Sequence, residues 1–214
     1  MMFQGQGDFY CMNGCFSYPM KISTIKSFFG QLTGINNIDQ IICYDIHPNE
    51  FSYQNAMDAK YRVKKTGLSI LDTTTLLSLD FFYYDLSCQL QANFFDDGYY
   101  CLSLVHNAEE GISEEKYLKL KKCFYSSLKP IYGNDGYEKW LVSLNDIQKD
   151  DYSIFDNNFY ISRELCERMN NGSLNVRSDT ITVLENGIYY TKQSKVKQKA
   201  LFGSFYDAVQ GETR

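Results

Sequence analysis

Thr180-Ile181-Thr182-Val183-Leu184-Glu185-Asn186-Gly187-Ile188-Tyr189-Tyr190-Thr191-Lys192 decides the fold class. Two runs rich in β-branched and aromatic residues, 180–184 and 188–192, flank a Glu-Asn-Gly centre. Asn-Gly between such runs is the strongest short-range hairpin signal, because both residues tolerate the φ > 0 that a type I′ turn demands. The basic stretch Lys192 to Lys199 follows and leads into a helix expected to end near Ala208.

Working back from this hairpin, Ser162 to Met169 is expected to form a short helix, with Gly172 beyond it. Gly133-Asn134-Asp135-Gly136 has the composition of a plain turn. The clearest helix has Ser113 as its N-cap, Glu114 and Glu115 in the first turn and an apolar stripe of Tyr117, Leu120, Phe124 and Leu128. Pro130 stops it. Tyr99 to Val105 reads as a strand after the turn Asp96-Asp97-Gly98. Leu68 to Leu90 is one or two strands or a buried helix, which periodicity does not separate. The polar stretch 52–65 carries no assignment. Ile41 to Ile46 reads as a buried strand ended by Pro48. Ile22, Ile25, Phe28, Phe29 and Leu32 recur at helical spacing, with Pro19 near the first turn and Gly34 near the stop. Strands and helices mix without a βαβ rhythm, which points to an α+β fold. The expectation is a single domain over residues 1–214: a mainly antiparallel sheet, a few packed helices, and a C-terminal β-hairpin followed by a helix.

The chain has 214 residues, 44% of them apolar, with a formal net charge of −5. A chain this long buries enough surface to need neither disulfide nor metal. Its acidity disfavours nucleic acid as a partner, because phosphate binding requires clustered Lys and Arg. The start, Met-Met-Phe-Gln-Gly-Gln-Gly-Asp, has no basic region followed by an apolar run, and no stretch is long and apolar enough for a membrane span. A cytoplasmic location is therefore expected. In that setting the seven cysteines, Cys11, Cys15, Cys43, Cys88, Cys101, Cys123 and Cys166, are reduced thiols. Fifteen Phe and eighteen Tyr are an unusual load. Many of the tyrosines are expected near the surface, since a core of this size would have to bond all their hydroxyls.

Motifs for chemistry are missing. The two histidines, His47 and His106, have no metal-ligand spacing, and Cys11 with Cys15 lacks the second pair of a zinc site. Cys101 and His106 lie five apart in an expected strand, which puts them on opposite faces. No phosphate-binding glycine loop is present. The expectation is a protein with no catalytic, metal or cofactor site.

One pattern stands out. Between Lys65 and Lys116 there is no Lys or Arg, yet nine acids fall there: Asp72, Asp80, Asp85, Asp96, Asp97, Glu109, Glu110, Glu114 and Glu115. Phe81, Phe82, Tyr83, Tyr84, Phe94, Phe95, Tyr99 and Tyr100 share the segment. The plain interpretation is alternate aromatics in the core and acids on a solvated face. The functional one is a surface where acids steer a basic partner and an aromatic anchor holds it. On it the partner-binding candidates are Asp80, Asp85, Asp96, Asp97, Tyr99, Tyr100, Glu109 and Glu110. Tyr99 and Tyr100 point opposite ways in a strand, so one of them at most is an anchor. A second patch combines Asp146, Asp150, Asp151 and Asp156 with Tyr152, Phe155, Phe159 and Tyr160.

Phe159-Tyr160-Ile161-Ser162-Arg163-Glu164-Leu165, Leu174-Asn175-Val176-Arg177 and Leu184-Glu185-Asn186-Gly187-Ile188-Tyr189-Tyr190 together resemble the C-terminal end of some bacterial polymorphic-toxin immunity proteins. The first 150 residues carry no such likeness. The resemblance implies an acidic, cytoplasmic, non-catalytic protein that binds and blocks one toxin. It assigns no site residues. Two other classes compete: an enzyme with an unfamiliar Cys/His or carboxylate site, and a phage or mobile-element protein that sequesters a host defence component. The sequence leaves the oligomeric state open.

Overall fold

Ten strands join into one sheet, and every pairing in it is antiparallel. The structure, a computed structural model, describes residues 9–44, 61–64, 75–95, 99–107, 111–137, 141, 144, 146, 147, 149, 158–169, 181–191 and 195–210. In chain order the elements are β1 (Phe9–Phe16), α1 (Ile22–Gly30), β2 (Ile35–Tyr44), β3 (Tyr61–Lys64), β4 (Thr75–Tyr83), β5 (Leu86–Phe94), β6 (Tyr100–Asn107), α2 (Glu114–Leu128), β7 (Tyr132–Tyr137), β8 (Asn158–Ser162), α3 (Arg163–Arg168), β9 (Ile181–Leu184), β10 (Gly187–Tyr190) and α4 (Lys195–Gln210). The strand order is β3-β2-β4-β5-β6-β1-β7-β8-β10-β9.

Two apolar layers cover the two faces. On one, Ile25, Phe28 and Phe29 of α1 and Leu120, Phe124 and Leu128 of α2 pack on Met12, Leu79, Phe81, Leu90, Leu102 and Leu104. On the other, Leu165 of α3 and Phe202, Phe205 and Val209 of α4 pack with Cys15, Cys101, Tyr132, Phe159 and Ile161. Alternation along each strand makes this possible, since successive side chains go to opposite faces. Leu86, Cys88, Leu90 and Ala92 of β5 are buried, while Ser87, Gln89, Gln91 and Asn93 between them are half-buried.

The stretch Leu68 to Leu90 resolves into strand, not helix. β4 and β5 meet at Tyr84-Asp85, where Tyr84 takes a left-handed φ of 54°. Its backbone N–H donates to Gly34 O at 2.7 Å, and Lys116 Nζ lies 3.8 Å above its ring. A Cβ on Gly34 would stand 2.8 Å from that ring, so the close approach requires glycine there. The turn Asp96-Asp97-Gly98 lies outside the described residues.

Three expectations need correcting. The C-terminal hairpin forms, but Leu184 pairs with Gly187, so Glu185-Asn186 is the turn and Gly187 already belongs to β10. Left-handed backbone among the described residues is confined to Gly34, Asn37, Tyr84 and Lys129, so the turn is not type I′. Tertiary bonds fix it instead: Asn186 Nδ2 donates to Ser126 O of α2, and Asn186 O accepts from Arg163 N at 2.7 Å and Tyr160 OH at 3.0 Å. Second, Gly133-Asn134-Asp135-Gly136 is no turn but the middle of β7, buried between β1 and β8. A Cβ on Gly133 would meet Asn13 O at 2.2 Å, so close strand contact selects glycine. Third, the tyrosines divide: Tyr18 and Tyr137 are exposed as expected, whereas Tyr83, Tyr100, Tyr125, Tyr132, Tyr160, Tyr189 and Tyr190 are buried. Tyr125 stacks on Tyr160 with centroids 4.8 Å apart and lies against Tyr189. The hydroxyls of Tyr83, Tyr160 and Tyr189 reach an acceptor, while those of Tyr125 and Tyr190 have none among the described residues. Ser113 does precede α2, but makes no side-chain cap bond; Ser162 caps α3 by accepting from Leu165 N at 3.2 Å.

Candidate functional site

β4 and β5 present an open grid of side chains on the face away from α1 and α2. Phe82 faces Ser87, Asp80 faces Gln89 and Ser78 faces Gln91 across the two strands. Leu79, Phe81 and Tyr83 go to the buried face, which leaves Asp80 and Phe82 on this one. Phe82 is 37% exposed, unusual for a phenylalanine in the interior of a strand. Gln89 Nε2 donates to Asp80 Oδ1 at 2.7 Å and fixes that carboxylate. Asp85, exposed at the turn, sits just beyond Phe82.

Of the expected partner-binding residues, this grid brings together Asp80 and Asp85. Tyr99 is half-buried at the other end of β5, where Phe95 N donates to Tyr99 O at 2.9 Å. Tyr100 is fully buried against Phe16 and Phe94 and belongs to the core, which removes it as a contact residue. Asp96, Asp97, Glu109 and Glu110 lie outside the described residues. In the second patch Phe159 and Tyr160 are core residues and Asp146 is exposed; the rest of it, Asp150, Asp151, Tyr152, Phe155 and Asp156, is outside the described residues. Phe82 is the residue that charge counting missed. The alternation Leu79, Phe81, Tyr83 against Asp80, Phe82 was the signal that could have found it.

On the opposite face, under α2, lies a buried charged cluster. Asp135 Oδ1 accepts from Tyr10 OH at 2.6 Å and Asn158 Nδ2 at 2.8 Å, and it pairs with Lys121 Nζ at 3.1 Å. Its Oδ2 accepts from Tyr189 OH at 2.5 Å, and Tyr189 OH in turn accepts from Lys121 Nζ at 2.9 Å. Burial first, then the neighbouring Asp135 charge, pushes the Tyr10 and Tyr189 hydroxyls well above the ordinary phenol range, so both keep their protons and donate. His106 stacks on Tyr10 at 5.5 Å and meets Tyr117 edge-on at 5.7 Å. Both carboxylate oxygens of Asp135 are therefore filled by the protein itself, and α2 roofs the cluster.

The described thiols Cys11, Cys15, Cys88, Cys101, Cys123 and Cys166 are buried. Burial pushes Cys11, Cys101 and Cys166 up to about 12, and raises Cys123 as well. A nucleophilic cysteine needs the reverse shift. Cys101 and His106 stand on opposite faces of β6, one in the layer under α4 and the other against α2. Among the described residues no three His, Cys, Asp or Glu side chains are grouped to hold a metal, and no helix is long and apolar enough to cross a membrane.

A third polar feature crosses the sheet on the Phe82 side. Gln91, Ser103, Asn13 and Asn134 occupy one register row through β5, β6, β1 and β7. Ser103 Oγ donates to Asn13 Oδ1 at 2.6 Å and Asn13 Nδ2 donates to Asn134 Oδ1 at 2.8 Å. The row ends at a cavity of about 420 Å³ lined by Gln91, Asn93, Phe95, Cys101, Ser103 and Leu141. No protein-family model, curated protein or solved structure matches this chain.

Proposed function

We propose that this chain is a non-catalytic inhibitor of the immunity type, which binds and neutralises a basic toxin or effector in the cytoplasm. The observation that carries the reading is the β4–β5 face, where Phe82 is exposed on the same face as Asp80, with Asp85 exposed at the turn that joins the two strands. A desolvated aromatic anchor with acids at its rim is the combination that gives a protein interface both affinity and steering. No Lys or Arg falls between 66 and 115, so the charged side chains of the segment itself are all acidic. The reading draws further support from the reactive groups: the Asp135 oxygens are taken, and the buried thiols hold their protons.

Expressing the product of the adjacent gene, alone and together with this chain, tests the reading. The neighbour should stop growth by itself, and the wild-type chain should restore it. Asp80→Lys with Asp85→Lys should slow association in low salt and flatten its salt dependence. Phe82→Ala should instead speed dissociation, at a cost of about 2 kcal/mol or more for a hot-spot anchor. A wild-type chain that gives no protection from any adjacent product sinks the reading.

A further inference from the structure

The polar row through β5, β6, β1 and β7 asks for a reason. Asn13, Ser103 and Asn134 are almost completely buried in the centre of the sheet, where apolar residues would pack without needing partners. Their bonds run in one direction. Asn134 Oδ1 takes a proton of the Asn13 amide, and Asn13 Oδ1 takes the hydroxyl proton of Ser103. A hydroxyl has one proton to give, so Ser103 Oγ meets the cavity as an acceptor. Cys101 Sγ, 3.8 Å from Ser103 Oγ, is left as the weak donor of that pair.

The rest of the lining completes a chemical description. Gln91 lies across from Ser103 and Asn93 across from Cys101, so four polar side chains form a square on adjacent strands. The Gln91 and Asn93 side chains are half-buried and make no hydrogen bond to any described residue. Each offers a donor pair and an acceptor. Phe95 and Leu141 add apolar walls. No described lining residue is charged, so none of them supplies a countercharge to a charged ligand.

We infer that this cavity binds an uncharged nitrogen heterocycle of the nucleobase class, as the free base or the nucleoside. Asn and Gln amides match the adjacent donor and acceptor on a base edge, and an aromatic ring offers its face to any base. A volume of about 420 Å³ lies within the range of small-molecule sites and accommodates a nucleoside. The acidic chain and uncharged lining disfavour a phosphate, which separates this ligand from a nucleotide or a nucleic acid. The cavity is at the opposite end of the sheet face from Phe82 and does not depend on the inhibitor reading.

Calorimetric titration of the full chain with adenosine, guanosine, cytidine and uridine, each beside its free base and its 5′-monophosphate, tests the assignment. At least one base should bind, as base or nucleoside; the two arms tell which. Its monophosphate should bind more weakly. Gln91→Leu and Asn93→Leu, both at half-buried positions, should each weaken binding about tenfold, the equivalent of one good hydrogen bond. Melting curves of the two variants control for folding. No binding at millimolar concentration overturns the proposal. So does binding untouched in both variants, or a monophosphate that binds as tightly as its nucleoside.

Discussion

Asn134 and Asp135 are neighbours on β7, and each is the hub of a polar cluster on its own side of the sheet. The two clusters differ in completeness. Around Asp135 the carboxylate is filled by two tyrosines, an asparagine and a lysine, beneath α2. Around Asn134 the row is uncharged and runs out to a cavity where Gln91 and Asn93 still have donors and acceptors to offer. A polar cluster that satisfies itself specifies the fold; one that stops short at a cavity is built to be completed by something else. On the proposed reading the Asp135 side is structural, and recognition belongs on the side of Phe82 and Gln91.

The largest expected effect comes from opening the closed cluster. Lys121→Met leaves Asp135 buried without its countercharge, which should cost about 3–5 kcal/mol of stability. Chemical denaturation measures it. A loss under about 1 kcal/mol, the range of an exposed pair, would mean that solvent reaches Asp135. Next comes Gly133→Ala. Its Cβ would press on Asn13 O at 2.2 Å and the Tyr125 ring at 2.9 Å, forcing β1 and β7 apart. Overpacking of this kind costs about 1–3 kcal/mol. A variant of wild-type melting temperature would show that the two strands are not in close register there.

How these clusters escaped sequence reading has a physical answer. The hairpin and α2 were legible because their signals are local: β-rich runs and an acidic first turn. Gly133-Asn134-Asp135-Gly136 gives the opposite local signal, since each of those residues favours a turn. The partners that make it a strand, Asn13, Tyr10, Lys121, Asn158 and Tyr189, come from β1, α2, β8 and β10. No window of sequence contains them together. The tyrosine excess was the one global hint, and it was read outward. The candidate surface suffered likewise: the charge pattern singled out Asp80 and Asp85 but left Phe82 out of the proposed contacts, because its exposure depends on which face α1 and α2 cover.

Stability should also follow pH. Cys11, Cys101 and Cys166 are pushed from the ordinary 9.0 up to about 12. The unfolded chain loses these protons from about pH 9, while the folded chain holds them until about pH 12. The stability they contribute is thus complete below about pH 9 and is lost as pH rises across that window. The denaturation midpoint should fall as pH rises above about 9. A midpoint that holds steady would mean the thiols are open to water.

The division between a structural side and a recognition side has one direct test, which sets two double variants against each other in the growth-protection assay. Lys121→Met with Asp135→Asn removes both charges of the closed cluster yet keeps an acceptor for Tyr10. Asp80→Lys with Phe82→Ala alters two side chains on the open face and leaves the core in place. With both proteins folded, the first pair should still protect against the toxic partner and the second should fail. Protection lost by the first pair and kept by the second would place function at Asp135 and contradict the account.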